Sequence, residues 1–162
     1  MTMRISTRIN GIDRTFECDP GATLFEVLRS LGYKSVKQGC DNEGTCGACT
    51  VLLDGEAILS CITPAPRAAG RQLTTVEGLG DPGRPHPIQE AFVDAGAVQC
   101  GYCTPGMVLA TKALLDKVPS PSREQIAEAL SGNLCRCTGY VKIFDAVHNA
   151  AKTIQGSHDH DR

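Results

Sequence analysis

The stretch "SGNLCRCTGY", residues 131–140, places two cysteines, Cys135 and Cys137, one residue apart. A disulfide between them is disfavoured, because bridge geometry requires suitably opposed Cβ vectors. The C-x-C pair also differs from the C-x2-C knuckle that is common in structural zinc sites. The two thiols therefore need partners elsewhere in the chain, and the other cysteines indicate where to look for them.

Eight of the nine cysteines fall into two groups of four. The early group has the spacing C-x5-C-x2-C-x11-C, and the late group has the spacing C-x2-C-x31-C-x-C. The early group is Cys40, Cys46, Cys49 and Cys61, and the late group is Cys100, Cys103, Cys135 and Cys137. Two quartets of thiols predict two four-thiolate sites, and Cys18, the ninth cysteine, is expected to be a buried, inert thiol.

Composition excludes several classes of function. A net charge of −2 over 162 residues gives no reason to expect nucleic acid or an acidic membrane surface. No apolar run approaches the roughly 18 residues of a membrane span, and the first residues lack the apolar core of a signal peptide. We therefore expect a cytoplasmic protein, in which disulfides are disfavoured and clustered cysteines indicate metal binding or catalysis.

The first 78 residues have the pattern of a sheet crossed by one helix. Alternating strands flank Asn-Gly at 10–11 and Asp-Gly at 54–55, which are type I′ hairpin signals. The segment "LFEVLRSLGY", residues 24–33, has helical spacing, and Thr23 with Glu26 predicts a capping box at its start. Together with the long cysteine-rich loop, these signals outline a β-grasp domain over residues 1–78.

A helical domain is predicted after a linker rich in Gly and Pro at 79–87. The apolar period changes to 3.6 over residues 88–155, where four helices are expected. Thr104 is expected at the N-cap of the second of these helices, with Pro105 at N1. The polar tail, residues 156–162, is predicted to be disordered.

The early quartet favours an iron–sulfur cluster. Plant-type [2Fe–2S] ferredoxins use C-x4-C-x2-C followed by a distant fourth cysteine, in a loop whose N–H groups point at sulfur. Gly39, Gly44 and Gly47 suit such tight wrapping. A zinc site is the alternative, but no second knuckle follows at a standard interval. A redox CxxC motif is a weaker alternative, because "CGACTVLL" runs from a loop into a strand rather than into a helix.

The late quartet supplies the partners that Cys135 and Cys137 need. "CGYC", residues 100–103, precedes one predicted helix, and "CRC" follows the next. If these two helices pack antiparallel, all four thiols meet at one end of the domain. They would then hold a second cluster that cross-links the helices. A purely structural zinc ion is the alternative for this quartet.

Three motifs make the chain similar to a known family. "GCDNEGTCGACTVLLDG", "QCGYCTPGM" and "GNLCRCTGY" closely resemble the small iron–sulfur subunit of the molybdenum hydroxylases, the xanthine oxidase family. The resemblance extends from about residue 3 to 154. It implies an α+β chain, in which a β-grasp, plant-type ferredoxin domain precedes an all-α, four-helix [2Fe–2S] domain.

The resemblance also implies cofactors and partners. It implies a large subunit with a molybdenum–pterin cofactor of the molybdopterin cytosine dinucleotide type and a medium subunit with FAD, in a dimer of heterotrimers. The late cluster is expected to lie nearer the pterin, and the early cluster nearer the flavin. Gln99 and Cys137 are expected to contact the pterin. The family usually has four residues between its first two ligands, whereas Cys40 and Cys46 enclose five, and the extra residue is expected to bulge outward.

The leading hypothesis is an electron-transfer subunit without a substrate site of its own. A free-standing [2Fe–2S] electron carrier and an iron–sulfur sensor remain the alternatives. The substrate class and the direction of electron flow have no signature in this sequence.

Overall fold

The computed structural model describes residues 2–81 and 83–159, and the first half of these residues forms one mixed sheet. The strands are β1 (Met3–Ile9), β2 (Ile12–Cys18), β3 (Thr50–Leu53), β4 (Glu56–Leu59) and β5 (Gln72–Thr74). Their order across the sheet is β2-β1-β5-β3-β4. The β1–β5 pair is parallel and the other pairs are antiparallel. With helix α1 (Leu24–Ser30), this arrangement confirms the predicted β-grasp architecture.

Local signals determine the two hairpins, as the sequence predicted. Asn10 and Gly11 have φ values of 51° and 78°, and Asp54 and Gly55 have φ values of 50° and 84°. Positive φ at both central residues is the requirement of a type I′ turn, whose twist matches that of the flanking strands. The second hairpin fixes β3, the strand into which the first cysteine loop runs.

Helix α1 begins at the predicted residue, and a glycine ends it. Thr23 and Glu26 form the capping box, in which the Thr23 backbone N–H donates to Glu26 Oε2 at 2.8 Å. Gly32, at φ 92°, follows the last helical turn, and the Tyr33 N–H donates to the Leu28 carbonyl at 3.0 Å. These bonds are those of a Schellman motif, which stops the helix and sends the chain toward the first cysteine loop.

Four helices make up the described part of the second half, as predicted. They are α2 (Pro87–Asp94), α3 (Thr104–Lys117), α4 (Arg123–Leu130) and α5 (Val141–Asp159). Their apolar faces enclose a separate core, whose largest fully buried side chains are Ile88, Phe92, Met107, Leu130 and Ile143. Within the described ranges, no helix is long and apolar enough to cross a lipid bilayer.

The predicted N-cap of α3 is wrong by one residue. Cys103 occupies the cap position and Thr104 is already helical. The Cys103 side chain makes no capping bond, although its carbonyl accepts from the Met107 N–H at 3.0 Å. The sequence rule favours a hydroxyl at this position, but here the cap position holds a thiol that turns toward Cys135.

The predicted disordered tail is also wrong at its start. Helix α5 continues to Asp159, while residues 160–162 lie outside the described residues. The extension is anchored, because Gln155 Nε2 donates to the Pro119 carbonyl at 2.6 Å and to Ser120 Oγ at 2.5 Å. A tertiary contact with the α3–α4 loop therefore extends a helix whose sequence at this point is polar.

The two halves pack against each other. Leu52 of β3 forms a small buried cluster with Leu109 and Ala113 of α3, and Val76 and Leu79 pack against this cluster. An ion pair of 2.5 Å joins Lys117 to Glu56, although both side chains are largely exposed and such pairs stabilise little. The segment predicted as a linker therefore begins on an apolar interface between the two halves of the chain.

His86 caps helix α2 and gives the fold a pH dependence. Its Nδ1 accepts from the Ile88 N–H at 3.2 Å, and Gln89 Oε1 accepts from the His86 N–H at 2.8 Å. Burial lowers the pKa of His86, Lys112 lowers it further, and Asp116 acts in the opposite direction. Only the neutral imidazole can accept the Ile88 N–H, so protonation removes the cap.

We expect stability to fall on acidification because of His86. Its pKa is below 6.5 in the folded chain, so the unfolded chain binds the proton first. The contribution is complete above about pH 6.5 and is lost as the pH falls through the folded pKa, at a cost of about 1 kcal/mol. His86→Asn keeps a side-chain acceptor without a titrating group and should lack this component. Denaturant unfolding at about pH 7.5 and about pH 5.5 measures the difference, and an identical pH dependence in both proteins would contradict the assignment.

Candidate metal centres

The first cysteine loop, defined as residues 39–49, is tightly wound by positive φ values. Asp41, Asn42, Gly44 and Gly47 have φ values of 49°, 64°, 72° and 69°. The Glu43 N–H donates back to the Cys40 carbonyl at 3.0 Å, which closes a turn directly after the first cysteine. The predicted wrapping is thus present, although Gly44 and Gly47, and not Gly39, supply its left-handed glycines.

The early quartet comes together as two pairs of thiols. Cys40 lies within hydrogen-bonding reach of Cys46, and Cys49 lies within reach of Cys61. Backbone donation from Thr45 lowers the pKa of Cys40 to about 6. Burial, followed by contact with Cys49, raises the pKa of Cys61 to about 12. Within the first pair, Cys40 is thus prepared to hold negative charge, whereas both members of the second pair are buried in the sheet domain.

Backbone N–H groups point at these sulfurs, as a ferredoxin loop requires. The N–H groups of Ala48 and Gly39 donate to Cys46, although burial is the larger influence and raises its pKa. The Gly44 N–H donates to Cys61. A Cβ at Gly39 would lie 3.3 Å from Cys46 Sγ, so this glycine permits the close approach of the backbone.

The five-residue interval between Cys40 and Cys46 begins with the Cys40–Glu43 turn. The side chains of Asp41 and Glu43 are exposed. Asn42 Oδ1, in contrast, is buried and has no hydrogen-bond partner among the described residues. An unpaired buried amide oxygen carries a desolvation penalty of about 1–3 kcal/mol, and nothing in the sequence indicated it.

The late quartet also forms two pairs, at the end of the helical domain where α3 begins and α4 ends. Cys100 Sγ and Cys137 Sγ are 3.6 Å apart, and Cys103 lies within hydrogen-bonding reach of Cys135. Cys100 and Cys137 are exposed, whereas Cys103 and Cys135 are half-buried. The two helices thus bring "CGYC" and "CRC" to the same end, as the antiparallel packing predicted.

Each late pair contains one thiol whose pKa is raised and one whose pKa is lowered. Burial, with contact from Cys135, raises the pKa of Cys103 to about 12. Burial also opposes ionisation of Cys135, but donation from Thr138 outweighs it and keeps the Cys135 pKa below its ordinary value. Backbone donation from Tyr102, then contact with Cys137, lowers the pKa of Cys100. Each pair therefore combines a thiol that loses its proton readily with one that retains it.

Tyr140 fixes the conformation of the "CRC" turn. Its hydroxyl accepts from the Cys135 N–H at 2.9 Å and donates to the Asn133 carbonyl at 3.0 Å. Its backbone has a φ of 68°, an uncommon value for an aromatic residue. The strain is offset by the side-chain bonds, which connect Tyr140, after the turn, to residues 133 and 135.

This arrangement suits two binuclear clusters. In a [2Fe–2S] cluster held by four cysteines, each iron takes two thiolates and shares two sulfides with the other iron, so close pairs of thiols are the expected unit. Within residues 2–81 and 83–159, no three His, Cys, Asp or Glu side chains form a group suited to a single metal ion. Cys18 lies apart in the core at the end of β2, where burial raises its pKa, in agreement with the predicted buried thiol.

The chain around the early quartet and the chain around the late quartet, here called the two cysteine regions, are in direct contact. The Leu134 N–H donates to the Cys46 carbonyl at 2.9 Å. Asn133 Nδ2 donates to the Gly47 carbonyl at 3.0 Å and to Thr50 Oγ1 at 3.1 Å. A cavity of about 260 Å³ is lined by residues of both regions, among them Cys46 and Cys135. The sequence did not indicate this contact, and its one available signal was a glycine, Gly106, inside a helix.

Gln99 and Arg136 lie on the surface beside the late quartet. Gln99 precedes the exposed Cys100, and its side chain makes no hydrogen bond within the part of the chain that the structure describes. Arg136 is exposed and lines the cavity between the two cysteine regions. Both side chains are thus available to a molecule that lies against Cys100 and Cys137.

Comparisons with known proteins agree with this geometry. Residues 7–74 match the 2Fe-2S iron-sulfur cluster binding domain, and residues 75–148 match the [2Fe-2S] binding domain. The chain is 49% identical to the nicotinate dehydrogenase small FeS subunit of Eubacterium barkeri, over 91% of this chain and 94% of that protein. It is 46% identical to the xanthine dehydrogenase iron-sulfur-binding subunit of Escherichia coli O157:H7, over 94% and 96% of the two chains. A chain of quinoline 2-oxidoreductase from Pseudomonas putida 86 superposes with a TM-score of 0.90 at 42% identity, over 96% of this chain and 97% of that chain.

Proposed function

This chain belongs to the small iron–sulfur subunits of the molybdenum hydroxylase family, and we propose on that premise that it carries electrons between a molybdenum–pterin group and FAD on partner subunits. It is an electron-transfer subunit of an oxidoreductase and holds no substrate site of its own. When bound, its two [2Fe–2S] clusters supply one-electron carriers. We assign the ligands by the two quartets, Cys40, Cys46, Cys49 and Cys61, and Cys100, Cys103, Cys135 and Cys137.

The observation that carries this proposal is the hydrogen bond between the two cysteine regions. The carbonyl of Cys46, a ligand of the first cluster, accepts from the N–H of Leu134, which directly precedes Cys135, a ligand of the second. One hydrogen bond and a short run of covalent bonds thus connect the two sites. A relay requires two centres at a short, fixed separation, and this contact fixes it.

The exposed edge of the late quartet supports a partner at this face. Leu134 and Val141 are 56% and 57% exposed, which is high for large apolar side chains near an exposed pair of thiols. A partner subunit that covers Cys137 would bury this apolar surface, and Gln99 would then be free to bond the pterin. A free-standing carrier would leave the same surface in water, so the exposure favours the complex.

The complex is expected to be a dimer of heterotrimers in the cytoplasm. None of the nine cysteines, which lie within the described ranges, forms a disulfide, as a reducing compartment favours. The large subunit is expected to hold a molybdopterin cytosine dinucleotide cofactor, and the medium subunit FAD. These assignments rest on the family and not on contacts within this chain.

Purification of the untagged protein from its source organism tests the proposal. We expect a molybdenum subunit and a flavin subunit to co-purify, with about four irons and about four sulfides per copy of this chain and two distinguishable EPR signals after reduction. Zinc in place of iron would overturn the ligand assignment. A red-brown monomer that carries both clusters but no partner would favour the free-standing carrier.

A further inference from the structure

Two hydrogen bonds run in opposite directions between the cysteine regions. Lys37 Nζ, from the segment before Cys40, donates to the Gly101 carbonyl at 3.2 Å. The Tyr102 hydroxyl donates to the Gln38 carbonyl at 2.5 Å. The two side chains also touch each other, since Lys37 Nζ lies 5.1 Å from the centre of the Tyr102 ring. We call this pair of side chains the Lys37–Tyr102 clasp.

The clasp holds a positive charge at the junction of the two sites. The Lys37 N–H donates to the Ala48 carbonyl at 3.2 Å, between the ligands Cys46 and Cys49. Its ammonium group reaches the other region at Gly101, which directly follows the ligand Cys100. The backbone of Lys37 is therefore bonded within the early site, whereas its ammonium group is bonded to the backbone of the late one.

The surroundings keep this charge in place. A cation over an aromatic face is attracted by the electron-rich face of the ring, and the attraction strengthens as water is excluded. The neighbouring cation Arg29 is bonded to the carbonyls of Lys34 and Val36, and Lys34 is exposed on the same groove. Among these cations, Lys37 is the one bonded to the backbone of the late cysteine region.

We propose that Lys37 is a positioning residue that favours the electron on the late cluster relative to the early one. This inference rests on the proposed function. Reduction of a cluster adds one electron, and no other bond forms or breaks. A fixed positive charge lowers the energy of the added negative charge more at the nearer centre, because the interaction weakens with distance. Tyr102 acts through Lys37, since its ring holds the ammonium and its hydroxyl fixes the segment that carries Lys37.

The test is a redox titration of the holoprotein, followed by EPR at the two cluster signals. Lys37→Met keeps the length of the side chain and removes the charge. We expect it to shift the equilibrium constant for electron sharing by about tenfold toward the early cluster, which for one electron equals about 59 mV between the two midpoints. Lys37→Arg should stay within about twofold of the wild type, because the guanidinium keeps the charge.

Lys34→Met is the matched control, since it removes the same charge from an exposed position three residues away. We expect a shift below about threefold, because water screens an exposed charge. Tyr102→Phe keeps the ring and loses the bond to Gln38, so it should shift the equilibrium constant in the same direction as Lys37→Met but by less.

Three results would overturn the inference: an unchanged ratio in Lys37→Met, equal shifts of both midpoints, or a shift in Lys34→Met as large as that in Lys37→Met. Failure of the proposed function could be distinguished from these results, because it would already be seen in the wild-type chain. The wild-type chain would then lack about four irons or the two EPR signals, and the inference would fall with it. Iron and sulfide analysis of each variant also establishes that both clusters are retained.

Discussion

Replacing Gly47 with alanine is expected to lower the free energy of unfolding by about 3 kcal/mol. A Cβ at Gly47 would lie 2.3 Å from the Gly132 carbonyl oxygen and 2.8 Å from Asn133 Cα. Both atoms are backbone and cannot rotate away. The substitution therefore forces the two cysteine regions apart and breaks the bond from Asn133 Nδ2 to the Gly47 carbonyl.

Gly70 provides the matched control for backbone strain. It has the same φ of 69° as Gly47, but no described atom lies within 4 Å of the position that a Cβ would take. Gly70→Ala should therefore cost only the left-handed strain, about 1–2 kcal/mol. Denaturant unfolding of both variants separates the contact from the strain, and equal losses would mean that the close approach of Gly47 to residues 132–133 contributes nothing.

The same contact can be tested from its other side with two helical glycines. Gly106 lies in α3, and a Cβ there would be 2.4 Å from the Gly47 carbonyl oxygen. Gly156 lies in α5 with open space around the corresponding position, among the described residues. Alanine normally stabilises a helix by about 0.5–1 kcal/mol over glycine, so Gly156→Ala should stabilise and Gly106→Ala should destabilise. Stabilisation by both would contradict the packing of α3 against the first cysteine loop.

The elements that the sequence predicted well are those with local causes. The Asn10–Gly11 turn and the capping box at Thr23 each depend on residues within four positions of one another. The two thiol quartets could also be predicted. The early group has a spacing close to that of a ferredoxin loop, and the two helices beside the late group bring its cysteines to one end of the domain. The three motifs were sufficient to indicate the family, which the comparisons confirmed.

The features that escaped prediction join distant parts of the chain. Lys37 meets a residue 64 positions away, and Asn133 meets one 86 positions away. Neither contact has a local pattern, since a lysine or an asparagine in a loop is compatible with many environments. The end of α5 is similar, because residues 156–159 belong to the polar tail by sequence and yet continue the helix, beside Gln155 and its bonds to residues 119–120. Tertiary contacts determine the structure at these positions. Those of Lys37 and Asn133 also join the two cysteine regions on which the proposed electron relay depends.

Cys103→Ala is expected to remove the late cluster completely. Cys103 is the more deeply placed member of its pair, at the start of α3, where solvent cannot readily supply a replacement ligand as it could at the exposed Cys137. Iron and sulfide should fall from about four to about two of each per chain, and one of the two EPR signals should disappear. The early signal should remain, because none of its ligands lies in the helical half.

The helical domain itself should stay folded in Cys103→Ala, which makes the loss of one signal interpretable. Its core of Ile88, Phe92, Met107 and Ile143 is enclosed by four helices, and Cys103 packs against this core only as a partly buried side chain. Circular dichroism should therefore show unchanged helix content with a lower melting temperature, since the cluster joins the start of α3 to the end of α4. Cys18→Ala is the matched control: it removes another buried thiol and should retain all of the iron. Disappearance of both signals from folded Cys103→Ala, or loss of iron from Cys18→Ala, would show that the eight cysteines do not divide into two independent sites.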